Sequence, residues 1–185
     1  MHATAYIIGP PDGPGTALTA LARQLHFAAV LPFSGLAEAE RRMDLTPVCF
    51  FLFAAVPDVE TLRGVAEAVR FSPSRRIRFS PLIYFADNPS VETIAACINL
   101  GFDDIIAMPF APAQVLPRIE RQIGHNLVYY ETPGYFGPDR RDRVTAPRRA
   151  AESRLGGQFR RLEIVRHARS GIEVLRDDLY MQLDS

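Results

Sequence analysis

The chain contains no lysine; all 21 of its basic residues are arginines. A phosphate-binding loop of the Gly-Lys-Ser/Thr kind is therefore excluded at once. Cysteine is scarce as well. Cys49 and Cys97 each sit in an apolar run, which reads as a pair of reduced core thiols and not as a disulfide framework. Net charge is missing: 21 acidic residues balance the arginines, so any attraction to nucleic acid or membrane has to be local. Long apolar runs are also lacking. The longest, Val48 to Val56, is too short to cross a bilayer, and no basic flank at the N-terminus leads into an apolar export segment. These absences predict a soluble, cytoplasmic protein with no membrane contact. His2, His26, His125 and His167 are scattered, and neither a Ser-His-Asp constellation nor metal-ligand spacing is present. The expectation is a protein that is not an enzyme and carries no cofactor and no metal.

What is present is enough apolar content, 48% of 185 residues, to build one α/β domain plus an extension. Over the first 125 residues strand-like and helix-like periods alternate. Ala5–Ile8, Phe27–Leu31, Val48–Val56, Leu82–Ala86 and Ile105–Ala107 read as strands. Thr16–Leu25, Ser34–Met43, Val59–Val69, a Ser90-capped segment to Leu100 and Pro112–Ile123 read as helices, with Gly101 ending the fourth. Phe71–Ser80 reads as an Arg-rich loop. Val48–Val56 is apolar on both faces, as a central strand between two helix layers must be. Five βα units in this order predict a doubly wound, five-stranded parallel sheet of the flavodoxin-like type.

Gly101-Phe102-Asp103-Asp104 leads into Met108-Pro109-Phe110, and Pro81-Leu82-Ile83 opens the preceding strand. These segments, set in the five βα units, resemble bacterial response-regulator receiver domains over roughly two-thirds of the chain. The resemblance implies where the family's phosphorylation chemistry would lie. The metal-holding acidic pair falls on Gly9 and Pro10, the nucleophilic aspartate on Phe53, the hydroxyl on Ala86, the lysine on Met108 and the aromatic switch on Ile105. None of these side chains can bind a cation, attack phosphorus or pair with a phosphoryl oxygen. A degenerate receiver without a phosphorylation site is what the resemblance implies, with a cis Met108–Pro109 bond kept from the family.

Asp12, Asp58 and Asp87 lie just past strand ends and offer a conceivable residual magnesium site. The favoured reading makes them loop and helix-start residues, because a short carboxylate caps a helix N-terminus. The loop Gly9-Pro10-Pro11-Asp12-Gly13-Pro14-Gly15-Thr16 is glycine-rich, but its prolines remove the amide donors that a phosphate cradle needs. It reads as a stiff turn filling the former metal pocket.

After residue 125 the reading is of an aromatic, Arg-rich linker over 126–157 and an amphipathic C-terminal helix over 158–185, beginning past a Gly156-Gly157 hinge. The α/β domain would thus carry an α-helical extension. Tyr129, Tyr130, Tyr135 and Phe136 are four rings in eight residues and should pack on the preceding domain or on a second copy. Between Asp139 and Arg169 ten arginines, Arg140 and Arg141 among them, face four acids. Such a cluster suits phosphates, although interruption by acids favours a self-paired surface. Leu162, Val165, Ala168, Ile172, Leu175 and Leu179 step by three and four, drawing one apolar stripe along a helix weakened at Ser170-Gly171.

The function expected from all this is a non-catalytic, phosphorylation-independent receiver-like module in a bacterial two-component circuit. It would bind a protein partner whose identity the sequence does not give, and would dimerise through the C-terminal extension. The interaction residues would be Tyr129, Tyr130, Tyr135, Phe136, Arg140, Arg141, Leu162, Val165, Ile172, Leu175 and Leu179, together with the face formed by the fourth and fifth helices. The alternative is nucleic-acid or phosphate-ligand binding through the arginine-rich tail.

Overall fold

Alternation along one strand sets the architecture. In β3 (Cys49–Phe53) every side chain is buried, yet Cys49, Phe51 and Phe53 enter one apolar cluster while Phe50 and Leu52 enter another. A strand packed this way needs a helix layer on each side. In a computed structural model, which describes residues 1–109, 111–139 and 158–181, both layers are present. The first cluster lies beneath α2 (Leu36–Arg42), α3 (Arg63–Arg70) and α5 (Val91–Asn99); the second lies beneath α1 (Pro14–Gln24) and α6 (Pro112–Glu120).

The sheet itself is parallel, ordered β2-β1-β3-β4-β5, with β1 at Thr4–Ile8, β2 at Ala29–Pro32, β4 at Leu82–Ala86 and β5 at Asp104–Ala107. Its register sets Ile8 beside Phe53, Phe53 beside Tyr84, and Ala86 beside Ala107. Local chemistry fixes the helix ends. Pro14 opens α1, where its missing N–H costs nothing. The Ser90 hydroxyl accepts from the Thr93 amide at 3.1 Å, and Gly101, with φ +75°, terminates the turn after α5. A 3₁₀ turn, Val59–Leu62, precedes α3, and the segment read as an Arg-rich loop contains the one-turn helix α4 (Arg75–Arg78). No helix among the described residues is long and apolar enough to cross a membrane.

The C-terminal part departs from the sequence reading. In place of an amphipathic helix there is a four-stranded antiparallel sheet, ordered β7-β6-β8-β9. Its strands are β6 (Asn126–Thr132), β7 (Tyr135–Pro138), β8 (Phe159–His167) and β9 (Gly171–Tyr180). The extension is therefore a β-sheet, and 126–138 is not a linker. The reason is a competing period. Leu162, Ile164 and Arg166 alternate as strongly as Leu162, Val165 and Ala168 step, and Ile164, Val165, Ile172 and Val174 are β-branched. Ser170-Gly171, expected to weaken a helix, instead closes a hairpin, with Gly171 at φ +85°. Val165 and Leu162 fall on opposite faces of β8, so the apolar stripe never forms.

This sheet packs on the amino-terminal ends of the parallel strands, opposite the ends at which Gly9, Phe53 and Ala86 stand. Tyr129, Phe136, Leu162 and Ile164 close around Phe79, which precedes β4; the Phe79 ring meets Tyr129 and Phe136 edge-on, both at 5.3 Å between centroids. Arg140, Arg141 and the Gly156-Gly157 hinge lie outside the described residues.

Candidate functional site

Strand-end chemistry is decided by what stands at each carboxyl terminus. Gly9 follows β1 with φ +149°, a conformation glycine tolerates, and a Cβ there would meet Ala54 Cβ at 2.7 Å. The space between β1 and β3 is thus filled by close backbone approach. Phe53, the last residue of β3, is fully buried, with its ring edge-on to Phe102 at 4.8 Å. Ala86 closes β4 and is buried; its carbonyl accepts from the Met108 amide at 2.9 Å. Ile105 is half-buried in β5, Pro10 is half-buried, and Met108 is exposed ahead of a cis bond to Pro109. A cleft of about 450 Å³ opens between residues 55–57 and 86–90, and Asp87 is its sole charged lining residue.

Asp12, Asp58 and Asp87 do not converge: among the described residues no three acidic, histidine or cysteine side chains are grouped to hold a metal. Asp58 instead accepts from the Glu60 amide at 2.9 Å, the helix-start role that its position suggested.

The densest polar constellation among the described residues lies at the other end of the sheet. The side chain of Asp103, just before β5, is buried and takes the Arg70 Nη2 at 2.5 Å, the Arg166 Nη2 at 2.8 Å and the Leu82 amide at 2.8 Å. The Tyr129 hydroxyl donates to the same carboxylate and accepts from Arg166. Arg166 also donates to Phe79 O at 2.7 Å and Gln122 Oε1 at 2.9 Å, and Arg70 to the carbonyls of Gly101, Arg78 and Ser80. Burial by itself would raise the Asp103 pKa, but Arg166 and then Arg70 outweigh it and hold the carboxyl at about 2. Burial pushes the Tyr129 phenol well up, so it stays a donor. Chemically this is a clamp: the Asp103 carboxylate and the Arg70 and Arg166 guanidiniums are each paired within the cluster. The sequence signal for Arg166, one of the ten arginines between Asp139 and Arg169, is the alternation that places it on the face of Leu162 and Ile164.

The predicted interaction residues divide between the faces of the C-terminal sheet. Tyr129, Phe136, Leu162 and Ile172 turn toward Phe79, whereas Tyr130 and Val165 belong to the opposite face. Tyr135 is half-buried in β7, while Leu175 and Leu179 are exposed on β9.

No family model matches the chain, and no curated protein matches it significantly. Solved structures do. One, described as a response regulator from Chloroflexus aurantiacus, is 18% identical over 64% of this chain and 94% of its own, with a TM-score of 0.49. The receiver domain of a sensor histidine kinase from Pseudomonas aeruginosa, holding a magnesium ion in its active-site cleft, is 20% identical over 64% and 94%, with a TM-score of 0.46. A response regulator in red light signaling of R. palustris is 18% identical over 63% and 88%, at 0.43. The fold is the flavodoxin-like one that receiver domains adopt. Strand order and register establish it independently of these likenesses.

Proposed function

We propose that this chain is a receiver-fold interaction module that works without phosphorylation, binding other proteins in the cytoplasm within a bacterial two-component circuit. The observation that carries the reading is Phe53. A buried phenyl ring at the end of β3 has no lone pair to offer phosphorus, and its packing on Phe102 leaves no room for an acyl phosphate. Gly9, Pro10, Ala86 and Met108 agree with it, since none can hold a cation or stabilise a phosphoryl oxygen. The module is accordingly read as non-catalytic. Its binding surface would include the α5-β5-α6 face, where Val91, Ile94 and Met108 are exposed, and the C-terminal sheet.

Treating the full chain with acetyl phosphate and magnesium, and separately with beryllofluoride, tests this. No adduct in the intact mass and no shifted amide signals are expected. An acyl phosphate mapped to Asp58 or Asp87 would overturn the reading.

Nucleic-acid binding through the tail finds less support. Arg160, Arg161 and Arg166 are engaged with Asp177, Glu163 and Asp103, which leaves fewer charges for phosphates.

A further inference from the structure

β9 pairs with β8 on one side, and among the described residues its other edge carries no strand. An edge of ten residues presents a row of amides and carbonyls that another strand can use. Leu175, Leu179 and Met181, exposed to 46%, 54% and 64%, lie along it or just past its end. We propose that this edge pairs with the same edge of a second copy of the chain, antiparallel about a two-fold axis through Asp177. The two C-terminal sheets then become one continuous sheet. The proposal rests on the reading of the C-terminal sheet as an interaction element and names its partner.

Charge selects both the occupant and the register. A two-fold axis perpendicular to a sheet keeps every side chain on its own face, so opposed residues must be an even number apart. Centring on Arg176 sets that arginine against itself and Leu175 against Asp177. Centring on Asp178 sets Asp177 against Leu179 and Arg176 against Tyr180, matching neither charges nor apolar side chains, and centring on Leu175 opposes Glu173 and Asp177. Centring on Asp177 sets Arg176 against Asp178 and Leu175 against Leu179, each twice, which matches opposite charges and apolar side chains together. The two Asp177 residues meet at the axis, but each is already gripped by Arg160, at 2.5 Å and 2.6 Å. Arg176 and Asp178 pair within one strand at 3.0 Å and can exchange those partners across the axis. A bulge at Leu175, where Glu163 faces Arg176 but Ile164 faces Val174, breaks the regular alternation there, so the contact runs from Leu175 to Leu179 and no further.

Sedimentation velocity on the full chain across a concentration series tests the proposal. A reversible dimer is expected. Arg176→Asp and Asp178→Arg should each weaken it about tenfold, because each replaces two attractive pairs by two like-charge ones. An equimolar mixture of the two variants should recover the dimer, since all cross-strand pairs are then attractive. A dimer insensitive to both substitutions would overturn this edge while leaving an oligomer to explain. Weakening without recovery in the mixture would overturn the register. A monomer at every concentration would overturn self-association, and the C-terminal sheet as an interaction element would then need a different partner.

Discussion

Arg166 of the C-terminal sheet reaches Asp103 of the parallel-sheet domain at 2.8 Å, and both side chains are almost wholly buried. The pair joins residues 63 positions apart and ties the extension to the start of β5. Removing Arg166 leaves the buried Asp103 carboxylate with Arg70 as its one remaining cation and takes the donors away from Phe79 O and Gln122 Oε1, which costs more than the pair is worth. Arg166→Ala should lower unfolding stability by about 3–5 kcal/mol. Urea denaturation followed by circular dichroism measures it; a loss below about 1 kcal/mol would show the clamp to be dispensable.

The same clamp predicts a pH dependence. The folded Asp103 carboxyl lies at about 2, below its unfolded value. Its contribution is thus fully present above the unfolded carboxylate range near 4 and disappears as pH falls through about 2. Stability should drop by roughly 2 kcal/mol between pH 4 and the acid limit. In Asp103→Asn this component should be absent, which a urea series over the same pH range will reveal.

Placing the family's nucleophile at Phe53 should not create a phosphoacceptor. Phe53→Asp puts a carboxylate where Phe102 packs, with Gly9 and Pro10 after β1 offering no carboxylate for a cation, so it either neutralises or unfolds the domain, at a cost of several kcal/mol. Lowered thermal stability without any acetyl-phosphate adduct is expected. A stable, phosphorylated variant would mean that the surrounding site is still competent.

Gly9→Ala should destabilise by about 1–3 kcal/mol, because its new Cβ meets Ala54 in a conformation L-residues avoid. Gly64→Ala, where an added Cβ meets nothing within 4 Å, serves as the control, and melting temperatures of the two should separate clearly.

Both cysteines should resist thiol reagents in the folded chain. Cys49 is inaccessible and burial pushes its thiol up to about 12, leaving almost no thiolate at neutral pH; Cys97 is equally enclosed. Titration with an aromatic disulfide reagent should give no fast reaction until denaturant is added, and then two equivalents.

Much of the parallel domain was legible because its local signals agree with its burial. Val48–Val56 announced a strand enclosed on both sides, Ser90 and Gly101 bracketed their helix, and Leu82–Ala86 appears with the bounds its apolar run suggested. Gly9 follows β1, and Phe53 and Ala86 end β3 and β4, since strand ends follow from strand positions. The candidate site was only half legible. Nothing local distinguishes Arg70 or Arg166 from the other arginines, and their role exists only once Asp103 is brought between them.

The sequence by itself determined the doubly wound domain, because periodicity, caps and turn residues are short-range and each pointed to the same elements. Tertiary structure alone decided the extension. Leu162 to Leu179 satisfies both a helical and an alternating period, and a segment of this kind takes the form whose apolar face has something to cover. That something is Phe79 and the Asp103 clamp at the amino-terminal ends of the parallel strands, which a sheet carrying Tyr129, Phe136, Leu162, Ile164 and Arg166 on one face covers together. A helix would have turned Arg166 away from Leu162 and Ile164 and left the buried carboxylate of Asp103 short of a partner.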